Sequence, residues 1–235
     1  MTHTQSAHWN YTLNEWNNEN HQNLLDIIFQ DEIKIIYDIG ANVGGTAYTF
    51  LEYAKNKNIK LPKIYCFEPD NDNMNFLKSK FEKEIKDGLI VPIEIGIYYG
   101  LKEAKAYGMS CHGKNYIHPN VGGMGIEECM KKVEEKRIKN GEDVFAGQVD
   151  DKVFQLDTLE NIAKNFELPD FIKIDIEGAE KNVLENSKII NNTKYLNVEW
   201  NQDESINNFL KNKCPNFKVI YNKADYLLKN INIDN

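Results

Sequence analysis

The stretch 35-IIYDIGANVGGTAYTF-50 begins as a strand, passes through a glycine-rich turn and continues into helix-compatible residues. Its first residues are apolar and β-branched, which is typical of a strand that is covered on both faces. Gly40, Gly44 and Gly45 then let the chain turn sharply and let a ligand approach the backbone closely. The stretch therefore predicts the first strand, turn and helix of an α/β sheet with a ligand site at the turn.

Length and composition limit the classes of protein to which the chain can belong. With 235 residues, of which 41% are hydrophobic, it can build one core without disulfides. The cysteines form no CxxC pair, so neither a zinc site nor a redox pair is predicted. The net charge of −8 argues against long nucleic acid as a partner, because an acidic surface repels phosphates. We find no secretory signal or membrane span and expect a cytoplasmic protein.

Strand-like and helix-like runs alternate beyond the turn. The strand-like runs are residues 33–39, 63–68, 89–97, 171–176 and 195–200, with helices expected at 44–57 and 71–86. Pro92, within the third run, indicates an irregularity or a sheet edge. The last segment, FKVIYNKADYLLKN, predicts a hairpin that adds one antiparallel strand near the edge of the sheet. Together they predict a Rossmann-like, mostly parallel α/β sheet with helices on both faces.

The chain divides unevenly. Residues 1–30 are expected to form an N-terminal arm and a helix, and residues 31–235 the main domain. Within that domain the alternation breaks at about 100–152, where we expect an irregular insert.

The glycine turn is compatible with more than one ligand. A nucleotide-triphosphate loop would need a Lys, but Thr46 directly follows Gly45. A dinucleotide fold would need a glycine where this chain has Asn42, whose side chain would crowd a diphosphate. S-adenosylmethionine tolerates an Asn there, and Asp38 before the turn can orient its ammonium group. Glu68, at the end of the second strand-like run, can accept hydrogen bonds from ribose hydroxyls, in NAD as well as in S-adenosylmethionine.

Several motifs in order resemble one family. YDIGANVGG, CFEPDNDNMNFL, LDTL, FIKIDIEGAEKNVL and NVEW resemble the FkbM family of S-adenosylmethionine-dependent methyltransferases. The resemblance covers residues 33 to 200, and its FEP and KIDIEGAE segments are more specific than the glycine turn. It implies a class I methyltransferase fold, S-adenosylmethionine as cofactor, and O-methylation of a hydroxyl on a sugar, a glycan or a small metabolite. The cofactor-site residues that it implies are Asp38, Gly40, Asn42, Gly44, Glu68 and Glu94.

The segment KIDIEGAE carries the candidate catalytic groups. On a strand, Lys173 and Asp175 share one face, and Asp175 and Glu177 lie at its carboxyl end. We expect Asp175 to act as the base or the orienting group for an acceptor hydroxyl. Alternatively, Asp175, Glu177 and Glu199 hold a divalent ion such as magnesium or manganese. Glu180 enters the next helix near its N-terminus, where a structural role is expected.

Other classes of protein remain open from the sequence. An NAD-linked oxidoreductase on a related sheet would bind NAD, which the side chain of Asn42 disfavours. A binding module would keep the cofactor pocket without catalysis. An RNA methyltransferase would be expected to carry a basic, aromatic-rich stripe, which the sequence lacks.

Overall fold

The computed structural model describes residues 3–109, 114–117, 148–176, 178–200, 202 and 204–233. The strands are β1 (Ile35–Ile39), β2 (Lys63–Phe67), β3 (Ile90–Ile93), β4 (Gly96–Ile97), β5 (Glu103–Met109), β6 (Lys114–Ile117), β7 (Gln148–Asp157), β8 (Phe171–Ile174), β9 (Tyr195–Val198), β10 (Phe217–Tyr221) and β11 (Tyr226–Asn230). The α-helices are α1 (His3–Trp16), α2 (Glu19–Ile28), α3 (Gly45–Asn56), α4 (Asn71–Lys80), α5 (Glu82–Lys86), α6 (Leu159–Ala163), α7 (Glu180–Asn186) and α8 (Ile206–Lys213). None of these helices is long and apolar enough to cross a membrane.

The main sheet has seven strands in the order β3-β2-β1-β8-β9-β11-β10. β1 runs parallel to β2 and β8, whereas β11 runs antiparallel to β9 and β10. The mostly parallel sheet and the closing hairpin are thus confirmed. β3 is an edge strand, as Pro92 indicated, and at the other edge β10 lies outside the antiparallel strand β11.

Two hydrophobic cores cover the two faces of this sheet. Side chains of α1 to α4 pack against one face, where Ile36, Ile64 and Phe171 project. Side chains of α6, α7 and α8 pack against the other face, where Tyr37 and Ile172 project. Successive residues of a strand alternate between the faces, so each strand serves both cores. Helices on both faces were expected and are confirmed.

A second, four-stranded sheet has the order β4-β7-β5-β6. β5 and β6 and the start of β7 come from the 100–152 segment, where an irregular insert was expected. β5 pairs antiparallel with β6, which follows it closely in the chain, and with β7, which lies much further along the chain. Residues 110–113 and 118–147 of this segment lie outside the described residues.

Two expected elements are divided in the structure. The helix expected at 71–86 is interrupted at Phe81, whose backbone has φ −116° and ψ 29° and whose side chain is buried. The strand expected at 89–97 becomes β3 and β4, which belong to different sheets. Between them the N–H of Ile95 donates to the carbonyl oxygen of Ile93 at 2.9 Å, which closes a tight turn. Both divisions place apolar side chains in the core at the cost of local regularity.

Asp170 ties together three strand starts, at the end of the sheet opposite the glycine turn. Its Oδ2 accepts hydrogen bonds from the N–H groups of Lys34 and Ile35, at 2.8 and 2.9 Å. Its carbonyl oxygen accepts from the N–H groups of Lys194 and Tyr195, at 3.0 and 3.2 Å. One residue thereby joins the beginnings of β1, β8 and β9.

We predict that Asp170→Ala lowers the free energy of unfolding by about 2 kcal/mol, because two backbone donors lose a charged acceptor. Urea denaturation measures this as a lower midpoint with an unchanged slope. Asp87→Ala is the control, since it removes only an exposed ion pair with Lys83 and should change stability by less than about 0.5 kcal/mol. Equal losses in the two variants would contradict a special role for Asp170.

Candidate cofactor and active site

The glycine turn begins with a very close approach of two backbone segments. Gly40 has φ +83°, and a Cβ added there would lie 1.8 Å from the carbonyl oxygen of Asp175. The N–H groups of Gly40 and Ala41 both donate to the carbonyl oxygen of Phe67, each at 3.0 Å. The turn is therefore fastened to the ends of β2 and β8, and only glycine fits at its first position.

The second half of the turn packs against helices. A Cβ on Gly44, which has φ +87°, would lie 2.7 Å from Cε2 of Phe81. A Cβ on Gly45 would lie 2.7 Å from Cβ of Thr12, on α1. The sequence put Gly44 in the cofactor site. In the structure, the Phe81 ring occupies the space that a side chain at position 44 would need. The buried ring that ends α4 therefore explains this glycine at least as well as a ligand does.

Glu68 lies beneath the turn and is only 7% exposed. Its Oε2 accepts from the N–H of Asn42 at 2.9 Å, and its Oε1 accepts from the N–H of Asp70 at 2.8 Å. Burial raises the pKa of Glu68 to about 7, and the nearby charge of Asp70 adds to this, against the backbone hydrogen bonds. The carboxylate keeps lone pairs for further donors, so it can hold the turn and a hydroxylated ligand together.

A cleft of about 310 Å³, counted with the space at its mouth, opens beside the turn. Its walls are largely apolar and come from both sheets. The lining residues are Gly40, Phe67, Pro69, Gly96, Ile97, Tyr98, Leu156, Ile176 and Ala179. Apolar walls of this kind are typical of sites that bind aromatic or other apolar groups.

Glu94 lies outside the walls of this cleft. Its carboxylate accepts from the side-chain amide of Asn71 at 2.8 Å and pairs with Lys78 at 3.2 Å. The hydrogen bond from Asn71 is the largest of the effects that lower the pKa of Glu94 below its ordinary value. Burial acts in the opposite direction, and Lys78 lowers the pKa further. Its place at the end of β3 is as the sequence predicted, but its side chain is turned toward α4.

Lys173 is a buried cation at the centre of the site, with 3% of its side chain exposed. Its Nζ lies 3.1 Å from Oδ2 of Asp175 and 3.5 Å from Oδ1 of Asp38, and it donates to the carbonyl oxygen of Gly40 at 3.1 Å. Burial acts to lower the pKa of Lys173, but Asp175 and Asp38 raise it above its ordinary value. One ammonium group thus joins β1, the turn and β8.

Asp38 is fully buried, and the cation that faces it is Lys173. Burial raises the pKa of Asp38, the charge of Lys173 lowers it, and the charge of Asp175 raises it again. Neither carboxylate oxygen accepts a hydrogen bond of good geometry from the described residues. The sequence placed a ligand's ammonium near Asp38; the structure places the chain's own ammonium there. Strand pairing brings them together, because Asp38 and Lys173 are partners in the register of β1 and β8.

The candidate catalytic residues follow the ends of β8 and β9. Asp175 directly follows β8, and its side chain is 35% exposed. Glu199 directly follows β9, and its N–H donates to the carbonyl oxygen of Ile174 at 3.1 Å. Glu177 lies outside the described residues. Glu180 is fully buried and its Oε1 accepts from the N–H groups of Ile176 and Gly178, as a structural residue would.

The alternative of a divalent metal finds no ligand set among the described residues, which do not include Glu177. Across the part of the chain that the structure describes, no three His, Cys, Asp or Glu side chains are grouped so that they could hold an ion. Asp175 is instead engaged with Lys173.

Comparison with known proteins gives a family match. The model of the methyltransferase FkbM domain matches residues 38–213. No curated protein matches the chain significantly.

Solved structures give a likeness of fold. A methyltransferase FkbM from Methylobacillus flagellatus KT is 15% identical with a TM-score of 0.50, over 84% of this chain and 43% of that chain. This chain thus spans less than half the length of that protein. A methyltransferase from Geobacter sulfurreducens is 12% identical with a TM-score of 0.48, over 98% of this chain and 91% of that one. M. capricolum TrmK, in complex with S-adenosylhomocysteine, is 14% identical with a TM-score of 0.42, over 88% and 66%.

The residues at the turn fit S-adenosylmethionine, the cofactor that the family match implies. Gly40 has no side chain, and Glu68 presents a buried carboxylate at the end of β2. The cleft beside Glu68 has the apolar lining that an adenine ring needs.

We predict that Gly40→Ala destabilises the protein by more than about 3 kcal/mol, since strain at positive φ is combined with an overlap against backbone. Gly100→Ala is the matched control, because Gly100 has φ +99° with open space around it. It should cost only about 1–2 kcal/mol. Thermal unfolding of both variants measures the difference, and equal losses would contradict the close approach at Gly40.

We predict that Lys173→Met lowers the free energy of unfolding by about 3–5 kcal/mol, because two buried or half-buried carboxylates lose their cation. The loss should be larger at pH 8 than at pH 5, since burial raises the pKa of Asp38 and protonation at acid pH removes the buried charge that has lost its cation. Lys181→Met, which breaks an exposed pair with Glu204, is the control and should have little effect. A loss that does not depend on pH would contradict the charge argument.

Proposed function

Because the chain belongs to the FkbM methyltransferase family, we propose that it transfers a methyl group from S-adenosylmethionine to a hydroxyl oxygen of a sugar, a glycan or a small metabolite. The bound cofactor supplies an electrophilic methyl group on a sulfonium. The protein's part is to hold the cofactor, to orient the acceptor hydroxyl and to keep the two in line.

The contact between Glu68 and the turn carries the proposal. The carboxylate accepts from the N–H of Asn42, so the end of β2 and the glycine turn form one rigid unit. A carboxylate at this place accepts hydrogen bonds from the hydroxyls of a ribose. The apolar cleft beside it, between Phe67 and Ile97, then receives the adenine ring.

Asp175 is the group that we assign to the acceptor. It is the half-exposed member of the cluster around Lys173, whereas Asp38 is fully buried. An ammonium at 3.1 Å stabilises the ionised carboxylate, which supports a role for Asp175 in orienting the acceptor hydroxyl more than one in strong proton abstraction. Glu199, on the neighbouring strand end, is the second carboxylate that we expect near the acceptor, and Glu177 is the third from sequence.

Two other functions make different predictions. An NAD-linked oxidoreductase would need room for a diphosphate at the turn, where the side chain of Asn42 contacts His8 at 3.3 Å. A binding module would bind the cofactor without transferring its methyl group.

The test is calorimetric titration of ligand-free protein with S-adenosylhomocysteine and, separately, with NAD. We expect micromolar binding of the first and none of the second, and we expect Glu68→Gln to weaken the binding about tenfold or more. Methyl transfer from labelled S-adenosylmethionine to a panel of sugars and metabolites then identifies the acceptor class. Binding of NAD alone would refute the proposal.

Binding should also depend on pH through Glu68. Its folded pKa of about 7 lies above the ordinary value, so stability of the ligand-free protein falls as pH rises through about 7. Ribose hydroxyls donate more strongly to the ionised carboxylate. We therefore predict tighter binding of S-adenosylhomocysteine at pH 8 than at pH 6, and a flatter profile for Glu68→Gln. The same profile in wild type and variant would show that Glu68 is not the titrating group.

A further inference from the structure

A few buried polar side-chain atoms of the described residues lack a hydrogen-bond partner, and some of them lie at the contact between α1 and the glycine turn. Among the described residues, the buried side-chain nitrogen and oxygen atoms without a hydrogen-bond partner belong to Gln5, Asp38, Asn42 and Asn197. Buried polar atoms are almost always paired in native proteins, so a group of exceptions calls for an explanation such as a ligand. Two of the four, Gln5 and Asn42, belong to α1 and to the glycine turn against which α1 packs.

α1 is held rigidly over the turn. The Trp9 ring packs against Tyr48, Phe76 and Phe81, with ring centroids 5.3, 6.1 and 6.0 Å apart. Thr12 lies against Gly45, where even a Cβ would not fit. Gln5, His8, Trp9 and Thr12 follow helical spacing and therefore share the face that meets the turn.

Asn42 links this face of α1 to Glu68, the carboxylate that we assign to the ribose hydroxyls. Its backbone is in the left-handed region, with φ 48°, and its N–H is held by Glu68. Its side-chain nitrogen lies 3.3 Å from Nδ1 of His8, which leaves Oδ1 buried without a donor. Gln5 lies one helical turn before His8, and its Oε1 atom is likewise buried without a hydrogen-bond donor.

The layout of the sheet indicates which part of the cofactor these atoms would meet. The apolar cleft lies on the side of β2 and β4, and Glu68 ends β2. With adenine and ribose there, the amino-acid end extends toward β1, the turn and α1. That end carries an ammonium, which needs acceptors such as Oδ1 of Asn42 and Oε1 of Gln5, and a carboxylate, which needs donors.

We propose that α1 completes the cofactor site, with Gln5 and Asn42 binding the amino-acid end of S-adenosylmethionine and His8 positioning Asn42. This inference rests on the proposed function and extends it, because α1 precedes residue 38, where the family match begins.

The experiment compares two ligands that differ only at the amino-acid end. Wild-type protein is titrated with S-adenosylhomocysteine and with 5′-methylthioadenosine, which keeps adenine and ribose but lacks the amino acid. Gln5→Ala and His8→Ala should each bind S-adenosylhomocysteine about tenfold more weakly, with unchanged affinity for methylthioadenosine. Tyr11→Ala is the matched control, because Tyr11 lies on α1 with 60% of its surface exposed.

The affinities for the two ligands distinguish the possible roles of α1. Unchanged affinity for both ligands would overturn the proposal, and an equal loss for both would show that α1 supports the fold and not the amino-acid end. Glu68→Gln, in contrast, should weaken both ligands. If wild-type protein binds neither ligand, the proposed function itself fails, which is distinguishable from a failure confined to the α1 variants.

Discussion

The buried ammonium of Lys173 is the interaction on which the site depends. It joins the Gly40 carbonyl, Asp38 and Asp175, and so fixes the end of β1 against the end of β8. A charge in this position is costly unless it is paired on several sides. The two carboxylates and the carbonyl meet that need. The first residue of the glycine turn and Asp175, which we propose orients the acceptor hydroxyl, therefore share one cation.

Around this cation the site is assembled from parts that lie far apart in the chain. Glu68 fastens the turn to β2, and the cleft beside it has walls from both sheets. α1 covers the turn from the other side through Trp9 and Thr12. We propose that each wall serves a different part of the cofactor: the apolar cleft the adenine, Glu68 the ribose hydroxyls, and α1 with the turn the amino acid. A rigid frame of this kind suits a reaction whose barrier depends on alignment.

Local patterns predicted much of the fold. The apolar run at Ile35–Ile39, the glycine turn after it and the alternation of strands and helices were sufficient for the mostly parallel sheet. They failed at Phe81, where the apolar period continues but the helix does not, and where the buried ring lies against Gly44. Apolar periodicity indicates which side chains are buried, but it does not indicate where the backbone bends in order to bury them.

The sequence by itself determined the class of sheet, the turn and the carboxylate that ends β2, because these depend on neighbours in the chain. Only the tertiary structure decided that Lys173 faces Asp38, that Glu94 turns toward α4 and that α1 meets Asn42. These contacts join residues that strand register and helix packing bring together across long separations. The pairing of Asp38 with Lys173 follows from the order of β1 and β8 in the sheet, which no local pattern of residues encodes.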